Sequence, residues 1–211
     1  MKEKSNEWVS ISDLMAGVTA VVMLLLVISV VQKMYAEVRH QNELKQGVSA
    51  QEQIVSKILD ETIIEFNRNG ANNMVEIDVA GHKITLQDSV FSRGSACITP
   101  EARNAMASIQ GQISEYLLKV KLGQIFIEGH TDSIQVSKPV VDYEKYCTVY
   151  DDNYTLSAAR AREARKLLLG NLSEQDAKRI IVAGYGDSHT LPGISPTDSK
   201  NRRVDVLFSF Q

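Results

Sequence analysis

The hydrophobic pattern is most distinctive near the start of the chain, where an apolar run continues without a charge. This run covers Leu14 to Val31, 18 residues, and extends back to Val9 with two serines and Asp13 as its polar interruptions. A helix rises about 1.5 Å per residue and needs roughly 20 residues to cross a hydrocarbon core. The pattern therefore predicts a transmembrane helix over residues 9–31.

A cleaved signal peptide is the main alternative for this segment. Its apolar stretch would be about 7–15 residues long and would be followed by small residues at a cleavage site. Here the run is longer, and it ends in Val30, Val31, Gln32, Lys33 and Met34. That ending favours an uncleaved anchor, with residues 1–8 on one side of the membrane.

An acidic residue, Asp13, lies near the start of the apolar run. A carboxylate at the centre of a membrane helix costs about 2.5–3.5 kcal/mol on insertion scales. Asp13 therefore either caps the helix start or carries an ion against a partner helix. Ala16, Gly17 and Ala20 share its helical face, and such small residues let a second helix pack closely. This pattern favours ion translocation by Asp13, with the three small residues forming a helix-packing face.

The next segment, residues 32–73, is rich in charge and lacks proline. From Val55 onward its apolar residues recur at spacings of three and four, which predicts an amphipathic helix. Residues 47–49 are expected to divide this connector into two pieces, and residues 67–73 to form a loop that ends it. The connector is either a spacer or a dimerising or plugging segment.

Residues 74–211 alternate between short strands and longer helices. The expected strands are 74–79, 83–86, 124–128, 179–183 and 204–210, and the expected helices are 100–123 and 156–169. The first helix has a clear start, because Thr99 can cap it and Pro100 suits its first position. The order β-β-α-β-α-β predicts an α+β sandwich with two helices packed on one sheet.

Composition excludes several classes of function. A net charge of −3 over 211 residues shows no basic excess for direct nucleic-acid binding, and two cysteines cannot build a disulfide scaffold or a four-cysteine zinc site. Gly94-Ser95-Ala96 is not a nucleophile elbow, and His130 with Asp132 gives fewer than the three protein ligands of a catalytic zinc. We therefore expect no enzyme activity, no cofactor and no metal.

Five phrases in the loops together resemble the OmpA-like peptidoglycan-binding domain, over roughly residues 75–211. They are Phe91 with Gly94-Ser95-Ala96, Gly129-His130-Thr131-Asp132, the Asn153–Ala161 segment, Gly184-Tyr185-Gly186-Asp187, and Asn201-Arg202-Arg203-Val204. The resemblance implies that Asp132 binds the ammonium and Arg160 the carboxylate of diaminopimelate at the end of a stem peptide. It also implies that Asn153, Leu156 and Arg203 line the same groove. Without the resemblance, Asp132 would be a turn cap and Arg160 a surface ion pair.

The chain departs from this family between Asp132 and Asn153, where 20 residues (133–152) replace a short loop. We expect this insertion to overhang the pocket. In the implied fold, Cys147 of the insertion and Cys97 lie at the same end of the sheet, so a disulfide between them is expected. A disulfide indicates an oxidising compartment, the periplasm.

The periplasmic placement of this domain puts residues 1–8 in the cytoplasm of a single-pass inner-membrane protein. The Lys and Arg residues beside the span weakly favour the opposite orientation. We give more weight to the wall-binding resemblance and to the expected disulfide.

An N-terminal span with an acid near its start, a connector and this domain are the layout of B subunits of ion-driven motors. The phrase from Trp8 to Gly17 (WVSISDLMAG) resembles the ZorB subunits of Zorya anti-phage defence systems more than flagellar stator B subunits. The resemblance implies a homodimer inside a ring of multi-span, channel-forming ZorA-like A subunits. Such a motor would be anchored to peptidoglycan and would act indirectly on cytosolic nuclease or helicase effectors. H⁺ is the expected ion and Na⁺ the alternative.

Two other functions stay open at this point. One is a flagellar-type stator B subunit. The other is a simple membrane-tethered peptidoglycan anchor, which would gain nothing from an acid inside its span.

Overall fold

A computed structural model of the protein describes residues 7–69 and 74–210. The chain divides into two compact units, residues 1–49 and residues 50–211. Helix α1 (Glu7–Asn69) contributes residues to both units. The predicted break at residues 47–49 is wrong, because these residues are helical. A single glycine costs only about 1 kcal/mol in a helix, and the good helix formers Ala50, Gln51 and Glu52 lie within five residues of it. The end of the predicted loop, residues 70–73, lies outside the described residues.

In the first unit, α1 exposes large apolar side chains from Ile11 to Val38. This helix contains a stretch long and apolar enough to cross a membrane, with a mean hydropathy of 2.8 over 18 residues. Its polar Thr19 is satisfied internally, since the hydroxyl donates to the carbonyl of Met15 at 2.6 Å. By length and composition α1 is therefore a candidate membrane span.

The second unit is built on a five-stranded sheet. The strands are β1 (Val75–Asp78), β2 (Lys83–Gln87), β3 (Gln124–His130), β4 (Ile180–Gly184) and β5 (Arg203–Ser209). Their order across the sheet is β1-β2-β5-β3-β4, with β3 and β4 parallel and all other pairs antiparallel. The last strand in sequence therefore lies in the middle of the sheet, between β2 and β3.

Helices complete the predicted α+β arrangement. They are α2 (Pro100–Ala105), α3 (Ala107–Lys119), α4 (Tyr143–Tyr146), α5 (Asn153–Leu169) and α6 (Glu174–Ala177). The predicted N-cap is confirmed, because the Thr99 hydroxyl accepts from the amide of Ala102 at 3.3 Å. The single helix expected over 100–123 is instead two helices that meet at Met106. The order β-β-α-β-α-β is confirmed, with two short helices added.

The hydrophobic core of the second unit includes the end of α1. The apolar side chains of Val55, Ile58, Leu59 and Phe66 are buried in the same cluster as those of the sheet and of α3. Their spacing of three and four places them on one face of the helix. Residues 55–66 therefore pack within the second unit, which starts at Ala50, before the domain boundary predicted at residue 74.

Two glycines allow α5 to lie very close to the sheet. A Cβ on Gly129 of β3 would lie 2.0 Å from the carbonyl oxygen of Ser157, and a Cβ on Gly184 of β4 would lie 2.6 Å from the Cβ of Ala158. Larger residues at either position would push the helix away. This close approach holds the first turns of α5 beside the end of β3.

Candidate functional site

A cleft of about 720 Å³ lies beside the residues that follow β3. Four of the five side chains predicted to bind a ligand line it: Asp132, Asn153, Leu156 and Arg160. Much of its wall comes from residues within 88–94 and 134–140, and Thr131 and Tyr150 contribute to it as well. Arg202, just before β5, also lines the cleft.

Charged side chains in the cleft form a chain of ion pairs. Arg202 donates from Nη1 to Oδ2 of Asp132 at 2.6 Å and from Nε to Oδ2 of Asp88 at 2.9 Å. The Oδ1 atom of Asp88 lies 3.1 Å from Nη1 of Arg160. Hydrogen bonds from Arg202 to Asp88 and Asp132 raise the pKa of the Arg202 guanidinium above its usual range. Asp132 and Arg160 are thus each paired within the chain, and Asp88 and Arg202 connect them.

Arg160 is almost fully buried, with 2 % of its surface exposed. Its Nε donates to the carbonyl of Ser95 at 3.0 Å, and its guanidinium lies 5.2 Å from the ring centroid of Phe91. Its Nη1 has no aligned hydrogen bond despite the nearby carboxylate of Asp88. Burial lowers the pKa of Arg160, and Asp88 opposes that shift. The alternative of a surface ion pair is wrong for Arg160, because the side chain is interior and faces the cleft.

Asn153 and Leu156 lie on the first turn of α5. The helix is capped by Asp152, whose carboxylate accepts from the amide of Thr155 at 2.6 Å. The Asn153 amide donates to the carbonyls of Asp132 at 3.2 Å and Ile134 at 3.1 Å. Asn153 therefore holds the chain that follows β3, while Leu156 contributes an apolar surface to the cleft.

The predicted role of Arg203 as a groove residue is not supported by its position. Arg203 is buried on β5, and its Nε donates to Oδ2 of Asp205 at 3.0 Å. It lines a different groove of about 890 Å³, together with residues of β1 and β2. Side chains alternate along a strand, so the two arginines of the Asn201–Val204 phrase diverge. It is Arg202 that reaches the cleft.

The insertion forms one wall of the cleft, as its predicted position over the pocket suggests. Val140 and Tyr150 form an antiparallel bridge within it, with N–O distances of 2.8 Å and 2.9 Å. Helix α4 lies between them and is capped by Asp142, whose carboxylate accepts from the amide of Lys145. The insertion is therefore a folded substructure with its own hydrogen bonds.

Several contacts tie the insertion to the loop that precedes α2. Cys97 and Cys147 form a disulfide that closes 50 positions of sequence. Nearby, the amide of Ala96 and the hydroxyl of Ser95 both donate to the carbonyl of Tyr146, at 3.0 Å and 2.9 Å. Ser95 also accepts from the buried Arg160 through its carbonyl. The loop that positions Arg160 is thus the loop to which the insertion is fastened.

A second polar cluster lies on β3 and β5, next to the cleft residues. The carboxylate of Asp205 accepts from Thr85 at 2.7 Å and from Arg203 at 3.0 Å, and it lies 3.6 Å from Nε2 of His130. His130 is 2 % exposed and stacks on Tyr185 with 5.5 Å between ring centroids. Burial and the charge of Arg203 lower the pKa of His130 to about 4, and Asp205 opposes this shift.

Asp13 lies in α1, which begins at Glu7, so it is nearly two turns inside the helix. The alternative in which Asp13 caps the helix start is therefore wrong. Asp13, Ala16, Gly17 and Ala20 are all exposed, and a Cβ added to Gly17 would meet nothing within 4 Å. Over residues 7–69 and 74–210, no group of three or more His, Cys, Asp or Glu side chains is placed to hold a metal ion.

Fold and sequence together define the class of this protein. The sequence pattern of the OmpA family matches residues 90–203, which is more than half of the chain, and the chain belongs to that family. Its cleft, its mixed sheet and the phrases that line the cleft all fall within or beside the matched range.

More specific similarity extends along nearly the whole chain. The Zorya protein ZorB of Escherichia coli strain Crooks is 24 % identical over an alignment of 217 positions, gaps included, and the alignment covers 98 % of this chain and 88 % of that protein. The resemblance to ZorB subunits predicted from the sequence is thereby confirmed.

One solved structure shares the fold, and a second is similar to part of the chain. A MotB-like protein from Desulfovibrio vulgaris superposes with a TM-score of 0.53 at 21 % identity, covering 77 % of this chain and 99 % of that one. The cell wall anchor of the T6SS from Pseudomonas aeruginosa gives a TM-score of 0.47 at 26 % identity, covering 69 % of this chain and 94 % of that one.

Proposed function

We propose that this protein is the B subunit of an ion-driven rotary motor in a Zorya-type anti-phage defence system. The observation that carries the proposal is the similarity to ZorB over 98 % of the chain, which includes the apolar helix as well as the OmpA domain. In this function the protein is a non-enzymatic anchor that also provides an ion-carrying side chain.

The ion-carrying role falls to Asp13. Its position inside the helix leaves its carboxylate without a capping role, and an acid in a membrane segment is functional far more often than structural. The small residues Ala16, Gly17 and Ala20 are exposed, and they leave room for a partner helix close to the acid. A membrane potential supplies about 2.3 kcal/mol per charge per 100 mV for moving a cation through such a site.

Anchoring falls to the cleft, which we assign to the peptide of peptidoglycan. A diaminopimelate end carries an ammonium and a carboxylate, and the cleft offers Asp132 and Arg160 connected by Asp88 and Arg202. The ligand would exchange its own charges for these internal pairs, with the ammonium beside Asp132 and the carboxylate beside Arg160. The buried Nη1 of Arg160, which lacks an aligned hydrogen bond, supports this assignment.

The proposed topology has residues 1–8 in the cytoplasm, residues 9–31 across the inner membrane and the OmpA domain in the periplasm. The Cys97–Cys147 disulfide supports a periplasmic domain, because such bonds persist in oxidising compartments. The proposed partners are a second copy of this chain, a ring of ZorA-like channel subunits and peptidoglycan. Cytosolic nuclease or helicase effectors would be reached indirectly, and H⁺ is the proposed ion.

The test is purification of tagged full-length protein from its host in mild detergent, followed by intact-complex mass measurement. We expect two copies of this chain within a ring of a multi-span partner. A phage challenge of cells carrying Asp13→Asn should then show loss of protection, while the complex still assembles. Asp60→Asn, which changes an exposed acid of α1 in the second unit, is the matched control and should protect fully.

Recovery of a monomer or homodimer that still binds peptidoglycan would overturn the motor proposal, and the protein would then be a simple membrane-tethered anchor. A flagellar-type stator B subunit is the other alternative, and it predicts that Asp13→Asn abolishes swimming and leaves phage resistance unchanged.

A further inference from the structure

Two cations that line the cleft have no acidic partner among the described residues. Arg160 and Arg202 are both engaged with Asp88, and Arg202 also with Asp132. Arg93 and Lys138, by contrast, are exposed and form no ion pair within the described part of the chain. The cleft lining therefore carries four cations and two carboxylates, and its excess positive charge belongs to Arg93 and Lys138.

Tyr150 connects the two segments that carry these cations. Its hydroxyl donates to the carbonyl of Gly94, the neighbour of Arg93, at 2.6 Å. Its backbone pairs with Val140, two residues beyond Lys138. Tyr150 is 9 % exposed, and burial raises the pKa of its phenol. One buried tyrosine thus holds Arg93 and Lys138 on adjoining parts of the cleft wall.

Other contacts limit movement of the wall that carries Lys138. Pro139 follows Lys138, and its ring fixes its own φ angle and disfavours helical backbone at Lys138. Upstream, the Gln135 amide donates to Asp187 at 3.3 Å. Downstream, the disulfide fastens the insertion to the loop that precedes α2. Lys138 is therefore presented from a restrained segment, which lowers the entropy cost of binding an anion there.

We propose that Lys138, together with Arg93, forms a second anion subsite that binds a further carboxylate of the stem peptide whose end lies at Arg160. This inference rests on the proposed binding of peptidoglycan by the cleft. Stem peptides that end in diaminopimelate carry more than one free carboxylate. Arg160 can pair with one of them, which leaves the others without a cationic partner. Lys138 is then a specificity-determining residue that the insertion adds to the family's cleft, and it favours acidic stems over amidated ones.

The experiment measures binding of full-length protein in mild detergent to two soluble muropeptides. One is a disaccharide tripeptide that ends in diaminopimelate, and the other is the same compound with its internal free carboxylate amidated. Wild type is expected to bind the acid about fivefold more tightly than the amide, as for a solvent-exposed charge pair. Lys138→Gln should bring the ratio close to one, and Lys138→Arg should keep it.

The matched control is Lys145→Gln, which removes the same charge from the same insertion at a residue that does not line the cleft. It should keep the wild-type ratio. A ratio near one in the wild type, or an unchanged ratio in Lys138→Gln, would overturn the second subsite.

Failure of the proposed peptidoglycan binding by the cleft would give a different result. Wild type would then bind neither muropeptide, and Arg160→Gln would change nothing. If wild type binds both compounds and Arg160→Gln abolishes binding, the cleft assignment stands whatever the acid-to-amide ratio shows.

Discussion

Oδ2 of Asp132 accepts a hydrogen bond of 2.6 Å from Nη1 of Arg202, so the acid expected to meet a ligand ammonium is neutralised by the chain itself. Only 5 % of Asp132 is exposed, and a bare carboxylate there would be costly. A ligand must therefore replace Arg202 or share Asp132 with it. The cleft is organised before binding, and its affinity depends on the difference between internal and ligand pairs.

Removing Arg202 should destabilise the second unit. Arg202→Gln leaves Asp132 buried without its cation and removes one partner of Asp88, which should lower the free energy of unfolding by about 1–3 kcal/mol. Urea unfolding of the full-length protein in detergent, followed by near-ultraviolet circular dichroism, measures this loss.

A double-mutant cycle separates the ion pair from packing. Asp132→Asn in the Arg202→Gln background should recover part of the lost stability, because it removes the unpaired charge. Lys200→Gln is the control, since this exposed neighbour pairs with no acid in the described ranges. Strictly additive effects of the two substitutions would contradict the pairing.

Much of the cleft could be predicted from the sequence, because its residues lie in two short phrases, one just after β3 and one at the start of α5. Asp132, Asn153, Leu156 and Arg160 all line it. Arg202 was missed because the sequence places two arginines side by side, and only the phase of β5 decides which one reaches the cleft. Asp88 was missed because it follows β2 in a 3-10 turn, far along the chain from the residues it contacts.

The sequence also predicted the end of α1 only in part. The spacing from Val55 onward predicted an amphipathic helix, and that helix is present. Periodicity identifies an apolar face without identifying what covers it, so the packing of residues 55–66 into the domain core could not be predicted from the pattern.

Substitution of Gly129 should test how closely α5 must approach the sheet. A Cβ on Gly129 would lie 2.0 Å from a backbone oxygen of α5, which no side-chain rotation relieves. Gly129→Ala should therefore cost about 3 kcal/mol or more and should weaken peptidoglycan binding, because α5 carries Arg160. Gly111→Ala, on an open face of α3, is the control and should stabilise the protein by about 0.5–1 kcal/mol. Equal effects of the two substitutions would refute this packing.

Loss of the disulfide should weaken both the fold and the cleft wall. The bond closes 50 positions, for which loop-closure entropy gives a stabilisation of about 2–4 kcal/mol. The double variant Cys97→Ser with Cys147→Ser should unfold at lower urea and bind peptidoglycan less tightly. Reduction of the wild type should lower its urea midpoint to that of the variant, whereas reduction of the variant should have no effect. If Cys97 and Cys147 of the unreduced wild type react with a thiol label, the bond is absent and the prediction is wrong.

His130 should make the stability of the second unit depend on pH. Its pKa in the folded protein is about 4, below the usual value of about 6.5, so between these values the unfolded chain binds a proton that the folded chain does not. The free energy of unfolding should therefore fall as pH drops from about 6.5 to about 4, by up to about 3 kcal/mol. Above pH 7 the histidine is neutral in both states and should contribute no slope.

Urea unfolding in detergent at half-unit steps of pH measures this slope. His130→Phe keeps an aromatic ring to stack on Tyr185 but binds no proton, so its stability should change much less over the same range. His40→Gln, at an exposed position of α1 in the first unit, should keep the wild-type slope. If His130→Phe and wild type lose stability in parallel between pH 6.5 and pH 4, the carboxylates of the domain set the acid sensitivity and His130 does not. A smaller loss in His130→Phe alone would assign that sensitivity to the buried imidazole beside Asp205.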